Sequence, residues 1–163
     1  MTASRTGDAA DMAGATVLGR LTLPGRPERV REARDFVAKA LGELHPSLDN
    51  AVLLTSELVT NAVMHSSSRR HGGIVSLVIM ESAAGLRIEV ADEGSALSTP
   101  VVRDEVYVSD GHGLFLVQTI ADQWGYLRDD AGTTVWFWIC AVPVGAGPAG
   151  PDPVCTRAVG ANG

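Results

Sequence analysis

The chain has 163 residues and a mass of 17.0 kDa, which is enough for one domain with a sizeable core. Its 45% hydrophobic and 20% charged residues are typical of globular domains, and it lacks the run of about 18 apolar residues that would predict a membrane span. The net charge of −6 and the pI near 5.1 argue against bulk binding to nucleic acid or anionic membranes.

The two ends of the chain differ in composition from its middle. Residues 1–14 are small, polar and aperiodic, and they lack the long apolar stretch of a secretory signal. Residues 142–163 are rich in proline and glycine. We therefore expect both ends to be disordered and expect residues 15–141 to form the domain.

The number and spacing of the cysteines limit where the protein is expected to function and which metal sites it could form. Cys140 and Cys155 are the two cysteines of the chain, too few to predict a disulfide framework, so a reducing cytoplasm is the expected location. Without a CxxC pair or a His/Cys cluster, the sequence predicts no structural zinc site.

The first half of the domain predicts a strand and two helices. A strand at residues 18–23 ends at Pro24-Gly25, and apolar residues at helical spacing then predict a helix whose other face carries Arg and Glu. A second helix over residues 47–65 is far more apolar. We expect that helix to be buried on most sides.

The second half predicts two hairpins separated by a loop and a helix. Strands at 74–80 and 86–92 form the first hairpin, and the aperiodic stretch 93–112 is long enough to suggest a functional loop. A helix over 114–122 follows, and strands near 124–128 and 133–140 form the second hairpin.

The order of these elements predicts the fold class. Consecutive hairpins with segregated helices favour an α+β, two-layer α/β sandwich. We expect its sheet to be mixed but mainly antiparallel, with the helices on one face.

Polar residues interrupt the apolar second helix. Glu57 and Asn61 are four residues apart, so about 40° separates them on the helix, and His65 lies four residues further on. A solvent-facing strip would explain the stripe, although such strips usually carry several Lys, Arg and Glu. An amide and a carboxylate one turn apart could instead hold a hard cation such as Mg²⁺.

Three further features carry weak signals when each is taken alone. Asp92 shares strand parity with inward apolar residues, so it either begins a turn or accepts a hydrogen bond from a ligand. The Gly111-His112-Gly113-Leu114 segment either closes a loop or presents free N–H groups to phosphate. Gly132-Thr133-Thr134 by itself indicates only a hairpin turn.

The order and spacing of these segments resemble the GHKL ATP-binding superfamily (gyrase, Hsp90, histidine kinase, MutL). In detail the chain is similar to the anti-sigma-factor serine/threonine-protein kinase branch of actinobacteria, over about residues 17–140. The segments that carry the resemblance are ELVTNAVMHS at 57–66, DEG at 92–94, GHGL at 111–114, ADQWG at 121–125 and GTTVW at 132–136.

The resemblance implies a role for each residue that matches a family motif. Asn61 would hold Mg²⁺ against the ATP phosphates, Glu57 would be the general base, and His65 would belong to the same site. Asp92 would accept a hydrogen bond from the adenine amino group, with Thr134 supporting it.

The glycine-containing motifs would surround the nucleotide. Gly94 would let the backbone pass close to the adenine. Gly111, Gly113 and Leu114 would cradle the phosphates at a helix N-terminus, and residues 95–110 would form the ATP lid.

The resemblance therefore implies an ATP- and Mg²⁺-dependent serine kinase. It would phosphorylate a STAS-type anti-anti-sigma protein and sequester a sigma factor, without direct nucleic-acid or membrane binding, and the resemblance favours a homodimer. Two departures support an alternative, a nucleotide-binding module that sequesters its partner without phosphotransfer. Ala96 replaces the second glycine of the DxGxG motif, and residues 92–110 carry five acids against Arg103 alone.

Overall fold

The structure, a computed structural model, describes residues 12–65, 72–93 and 112–141. These ranges hold a five-stranded sheet and three α-helices, and a single 3-10 turn precedes the first helix. In chain order the elements are β1 Thr16–Pro24, the 3-10 turn Pro27–Arg29, α1 Val30–Leu41, α2 Leu48–His65, β2 Ile74–Ser82, β3 Gly85–Asp92, α3 His112–Ile120, β4 Gln123–Asp129 and β5 Gly132–Cys140. Within the described residues, no helix is long and apolar enough to cross a membrane.

The architecture confirms the predicted α+β sandwich and both hairpins. The strand order is β1-β2-β3-β5-β4, and every neighbouring pair is antiparallel. The expectation of a mixed sheet is therefore wrong for the described strands. Antiparallel pairing of β2 with β3 and of β4 with β5 follows because tight turns join them, and such turns connect antiparallel strands only.

One face of the sheet packs against the helices and forms the core. Side chains alternate between the two faces of each strand, and the apolar residues of the core cluster share one parity. Those of the three central strands are Val75, Leu77 and Ile79 on β2, Leu86, Ile88 and Val90 on β3, and Val135, Phe137 and Ile139 on β5.

Helix α2 is the central element of the helical layer. It contacts α1, α3 and the sheet, and its buried side chains include Leu54, Leu58, Val59 and Val63. Burial on several sides explains why its sequence is richer in apolar residues than that of a helix with one buried face. The prediction that this helix is buried is confirmed.

A histidine ties the turn between α1 and α2 to the far end of β2. The backbone N–H of Ser47 donates to Nδ1 of His45 at 3.1 Å, so the proton of the neutral ring is on Nε2. That nitrogen donates to Oε1 of Glu81 at 2.8 Å. The pair fixes where α2 begins relative to the sheet.

The end of β5 departs from one expectation. Cys140 is half-buried and disulfide-bonded, whereas the cysteine count argued against a disulfide framework and favoured a reducing cytoplasm. The count argues from compartment and not from geometry, so it could not decide this. The backbone N–H of Cys140 also donates to Oδ2 of Asp122 at 2.8 Å, which holds the strand end.

The Thr55 hydroxyl generates a stability prediction. Thr55 is fully buried in α2, and its Oγ1 has no hydrogen-bond partner among the residues that the structure describes. Thr55→Val keeps the shape and removes a polar group buried without compensation. We expect the free energy of unfolding in urea to stay equal or to rise by about 1 kcal/mol.

Thr60→Val is the matched control for that substitution. Thr60 lies on the exposed side of the same helix, so the same chemical change there should leave stability within about 0.5 kcal/mol. A clear loss of stability on Thr55→Val alone would show that its hydroxyl makes a hydrogen bond.

Candidate functional site

The polar stripe of α2 lies at the boundary between core and solvent. Glu57 and Asn61 are both half-buried, and neither side chain hydrogen-bonds to another residue in the described part of the chain. Their neighbours Leu58 and Ala62 point into the core. A carboxylate and an amide held half-buried in this way are available to a ligand.

The flanks of this stripe are unusually apolar for a helix surface. Leu53, Thr60 and Met64 are the exposed residues beside it, and none of them is charged. The solvent-strip interpretation predicts several Lys, Arg and Glu there, so the composition favours a site. His65 is the last residue of α2, and its side chain lies outside the described residues.

Asp92 ends β3 on the face that the helices cover. It has the parity of Leu86, Ile88 and Val90, which belong to the core. Its cross-strand partners are Val75 on β2 and Thr133 on β5. The expected inward orientation of Asp92 is therefore confirmed by the strand register.

The register changes the assignment of its supporting threonine. Residues directly opposite in an antiparallel pair place their side chains on the same face. Thr133, 4% exposed, is opposite Asp92, whereas Thr134 is opposite Ala91 and lies on the other face. The prediction that Thr134 stands beside Asp92 is thus corrected to Thr133.

A signal for Thr133 was present in the sequence. Val135, Phe137 and Ile139 alternate with the two tryptophans along the last strand, and β5 buries the odd-numbered apolar series together with Thr133. Counting back from this alternation selects Thr133. The ambiguity arose because two adjacent threonines follow the turn glycine.

The β4–β5 turn positions Thr133 against Asp92. Oδ1 of Asp129 accepts the N–H groups of Ala131 and Gly132 at 2.9 and 3.1 Å. A Cβ at Gly132 would overlap the carbonyl oxygen of Asp92. Only glycine therefore allows the turn to approach the end of β3 this closely.

Helix α3 begins with part of the Gly111-His112-Gly113-Leu114 segment and belongs to the helical layer. Leu114 and Val117 are buried, and α3 packs against α2. Gly113 belongs to the first turn of α3, and its role at a phosphate group stays a prediction. Gly94, Gly111 and the proposed lid lie outside the described residues.

The candidate ligand groups fit a cation that is also bound by phosphate and water better than a metal ion held by protein side chains alone. No group of three or more His, Cys, Asp or Glu in the described ranges could hold a metal ion. Asn61 offers an amide oxygen, the ligand type that Mg²⁺ takes while keeping phosphate and water ligands. The carboxylate of Asp92, with the Thr133 hydroxyl beside it, fits a hydrogen-bond donor such as an amino group.

Several known proteins are similar to this chain. The serine-protein kinase RsbW of Listeria monocytogenes serovar 1/2a is 24% identical over 129 residues, covering 71% of this chain and 82% of that protein. The RsbW of Bacillus subtilis is 27% identical, with coverages of 71% and 80%. The anti-sigma F factor of Clostridium botulinum is 27% identical over 100 residues, with coverages of 55% and 70%.

A family model extends this similarity to nearly all of the described fold. The model of the histidine kinase-like ATPase domain matches residues 23–139. That range begins within β1 and ends one residue before the end of β5, so it includes α2, Asp92 and the β4–β5 turn. By this match, the chain belongs to the histidine kinase-like ATPase domain family.

Proposed function

We propose that this chain is an ATP-dependent serine protein kinase of the anti-sigma-factor type. The observation that carries the proposal is the pair Glu57 and Asn61, half-buried on one stripe of α2 and without a side-chain partner in the described residues. The names of the similar proteins support the same activity. The chain would phosphorylate a STAS-type anti-anti-sigma protein and sequester a sigma factor.

Asp92 and Thr133 would recognise the base of the nucleotide. The Asp92 carboxylate accepts a hydrogen bond from the exocyclic amino group of adenine, and guanine has a carbonyl oxygen at that position. Thr133, on the same face and opposite Asp92, adds a hydroxyl that both donates and accepts. This pair would favour ATP over GTP.

Asn61 would act at the phosphates. Its amide oxygen would hold Mg²⁺, which supplies neutralisation of the charge on the triphosphate. Gly113, in the first turn of α3, would let the backbone N–H groups of that turn approach phosphate oxygens. Gly94, Gly111 and His65 remain proposed members of the same site.

Glu57 would act on the attacking group. Its carboxylate accepts the proton of the substrate serine hydroxyl as that oxygen bonds to the γ-phosphorus. The bond from the γ-phosphorus to the bridging oxygen breaks, and ADP leaves. Because Glu57 is one helical turn from Asn61, base and metal ligand face the same volume.

The partners follow from this activity. A sigma factor and a phosphorylatable antagonist would compete for the same chain, and the resemblance favours a homodimer as the acting form. Because both partners belong to transcription, the proposal places the protein in the cytoplasm.

Nucleotide binding should depend on Asn61. With ATP and Mg²⁺ at 100 times the dissociation constant, we expect a stabilisation of about 2.7 kcal/mol, which is several degrees in a thermal-shift titration. Asn61→Ala should remove the Mg²⁺-dependent part of this shift. Asn50→Ala, an exposed asparagine of the same helix, is the control and should keep it.

The two adjacent threonines provide a matched pair. Thr133→Val should weaken ATP binding about fivefold or more, because a hydroxyl beside Asp92 is lost. Thr134→Val removes the same group on the opposite face and should leave affinity unchanged. Isothermal titration with ATP measures both, and equal effects of the two substitutions would contradict the assignment.

Phosphotransfer should depend on Glu57. Glu57→Gln should lower the rate of ³²P transfer from ATP to an anti-anti-sigma substrate by about 10²–10⁴-fold, while the nucleotide thermal shift remains. Asp49→Asn, at the exposed start of α2, should retain activity. ATP binding with no transfer by the wild type would instead favour the sequestering module that acts without phosphotransfer.

A further inference from the structure

The sheet has a second face, which we call the outer face, opposite the three helices. Strand parity places on it the side chains that alternate with the core series. Its central members are Val78 and Met80 on β2, Arg87 and Glu89 on β3, and Trp136 and Trp138 on β5. The face is rich in large apolar and aromatic groups, which makes it a candidate contact surface.

Two residues of the outer face are more buried than their position explains. Trp138 is 3% exposed and Arg87 is 7% exposed, although the described helices all pack on the other side. Cross-strand neighbours cover only the sides of a side chain that stands on a sheet. Burial of this degree therefore indicates a covering segment.

On the outer face, the charge of Arg87 is already paired. The guanidinium carbon of Arg87 lies 4.1 Å from the ring centroid of Trp136, and its Nε donates to Oε1 of Glu89 at 2.7 Å. A Cβ at Gly85 would come within 2.8 Å of the Trp138 ring, and a Cβ at Gly125 equally close to that of Trp136. Both indoles thus pack against glycines of the neighbouring strands.

Cys140 connects this surface to the rest of the chain. It has the parity of Trp136 and Trp138, so its side chain is on the outer face, where it is disulfide-bonded. Cys155 is the one other cysteine of the sequence. We propose that residues 142–163 dock on the outer face, fastened there by a Cys140–Cys155 disulfide.

The composition of the segment suits this surface. Pro143, Pro148, Pro151 and Pro153 all precede Cys155. Proline-rich chains favour the extended polyproline II conformation and bind aromatic-lined surfaces. Because proline has no N–H group, such a segment lies across a sheet face in preference to pairing with a strand.

The length of the segment also suffices. Residues 141–154 separate the two cysteines and would reach about 40 Å at 3.1 Å per residue. Neighbouring strands are about 4.8 Å apart. The segment can therefore cross from β5 over β3 and return to Cys140 without strain.

The bond forms by thiol–disulfide exchange with a small-molecule disulfide as oxidant. The thiolate of one cysteine attacks a sulfur of the oxidant, forms a mixed disulfide and releases one reduced small-molecule thiol. The thiolate of the other cysteine then attacks the protein sulfur of the mixed disulfide and releases the second small-molecule thiol. Two protons and two electrons leave the protein, and one S–S bond replaces another. A reducing environment would reverse the reaction and release the segment.

The pairing is tested first by peptide mapping of the full chain. Arg128 and Arg157 flank both cysteines without an intervening Lys or Arg, so trypsin gives one peptide with Cys140 and Cys155. After equilibration with glutathione disulfide and blocking of free thiols, that peptide should be lighter than its reduced form by two hydrogen atoms. A disulfide-linked dimer of chains, or two blocked thiols, would overturn the pairing.

Docking is tested separately by acrylamide quenching of tryptophan fluorescence. Truncation after Ala141 should raise the quenching constant about twofold or more, because Trp138 loses its cover. Reduced Cys155→Ser protein of full length should lie between truncated and oxidised chains, which covers the case of a poorly folded truncation. Deletion of residues 2–11 is the matched control and should change nothing.

The tryptophan responsible is identified by subtraction. Trp138→Phe should abolish most of the increase that truncation causes, whereas Trp124, on the helix-covered side of β4, should contribute little. If truncation leaves quenching unchanged, or if deletion of residues 2–11 has the larger effect, the docking proposal is overturned even where the disulfide forms.

Discussion

The burial of α2 is the constraint on which the rest of the structure depends. The helix packs against α1, α3 and the sheet, so the positions that face these elements must be apolar to avoid uncompensated burial of polar groups. This requirement leaves one stripe at the solvent boundary. Glu57 and Asn61 occupy it, and the packing of their neighbours Leu58 and Ala62 in the core fixes the position of this part of the helix.

The strand register imposes the second constraint. A shift of one residue between β3 and β5 would exchange Thr133 for Thr134 beside Asp92 and would turn the whole core series of β5 outward. The cost of exposing Val135, Phe137 and Ile139 therefore protects the geometry around Asp92. Gly132 and the Asp129 carboxylate set the turn from which this register begins, so the turn and the core series of β5 together hold Thr133 opposite Asp92.

A sheet with helices on one side leaves its other face to be covered or exposed. Here that face carries two tryptophans and an arginine that is stacked and paired. Covering it with a proline-rich end of the same chain would bury apolar surface without adding strand-pairing groups. The two faces of the sheet would then be covered by different segments of one small domain, and each segment would contact alternate residues of β3 and β5.

The sequence by itself determined the order of elements, the two hairpins, the buried helix and the family, because these depend on local periodicity and on motifs of fixed spacing. It also selected Glu57, Asn61 and Asp92. Only the tertiary structure decided that all the strand pairs are antiparallel, that Thr133 lies beside Asp92, and that Cys140 is disulfide-bonded. Each of these depends on contacts between residues that are distant in the chain. Tertiary packing sets a strand register or a disulfide bond, and the local sequence does not.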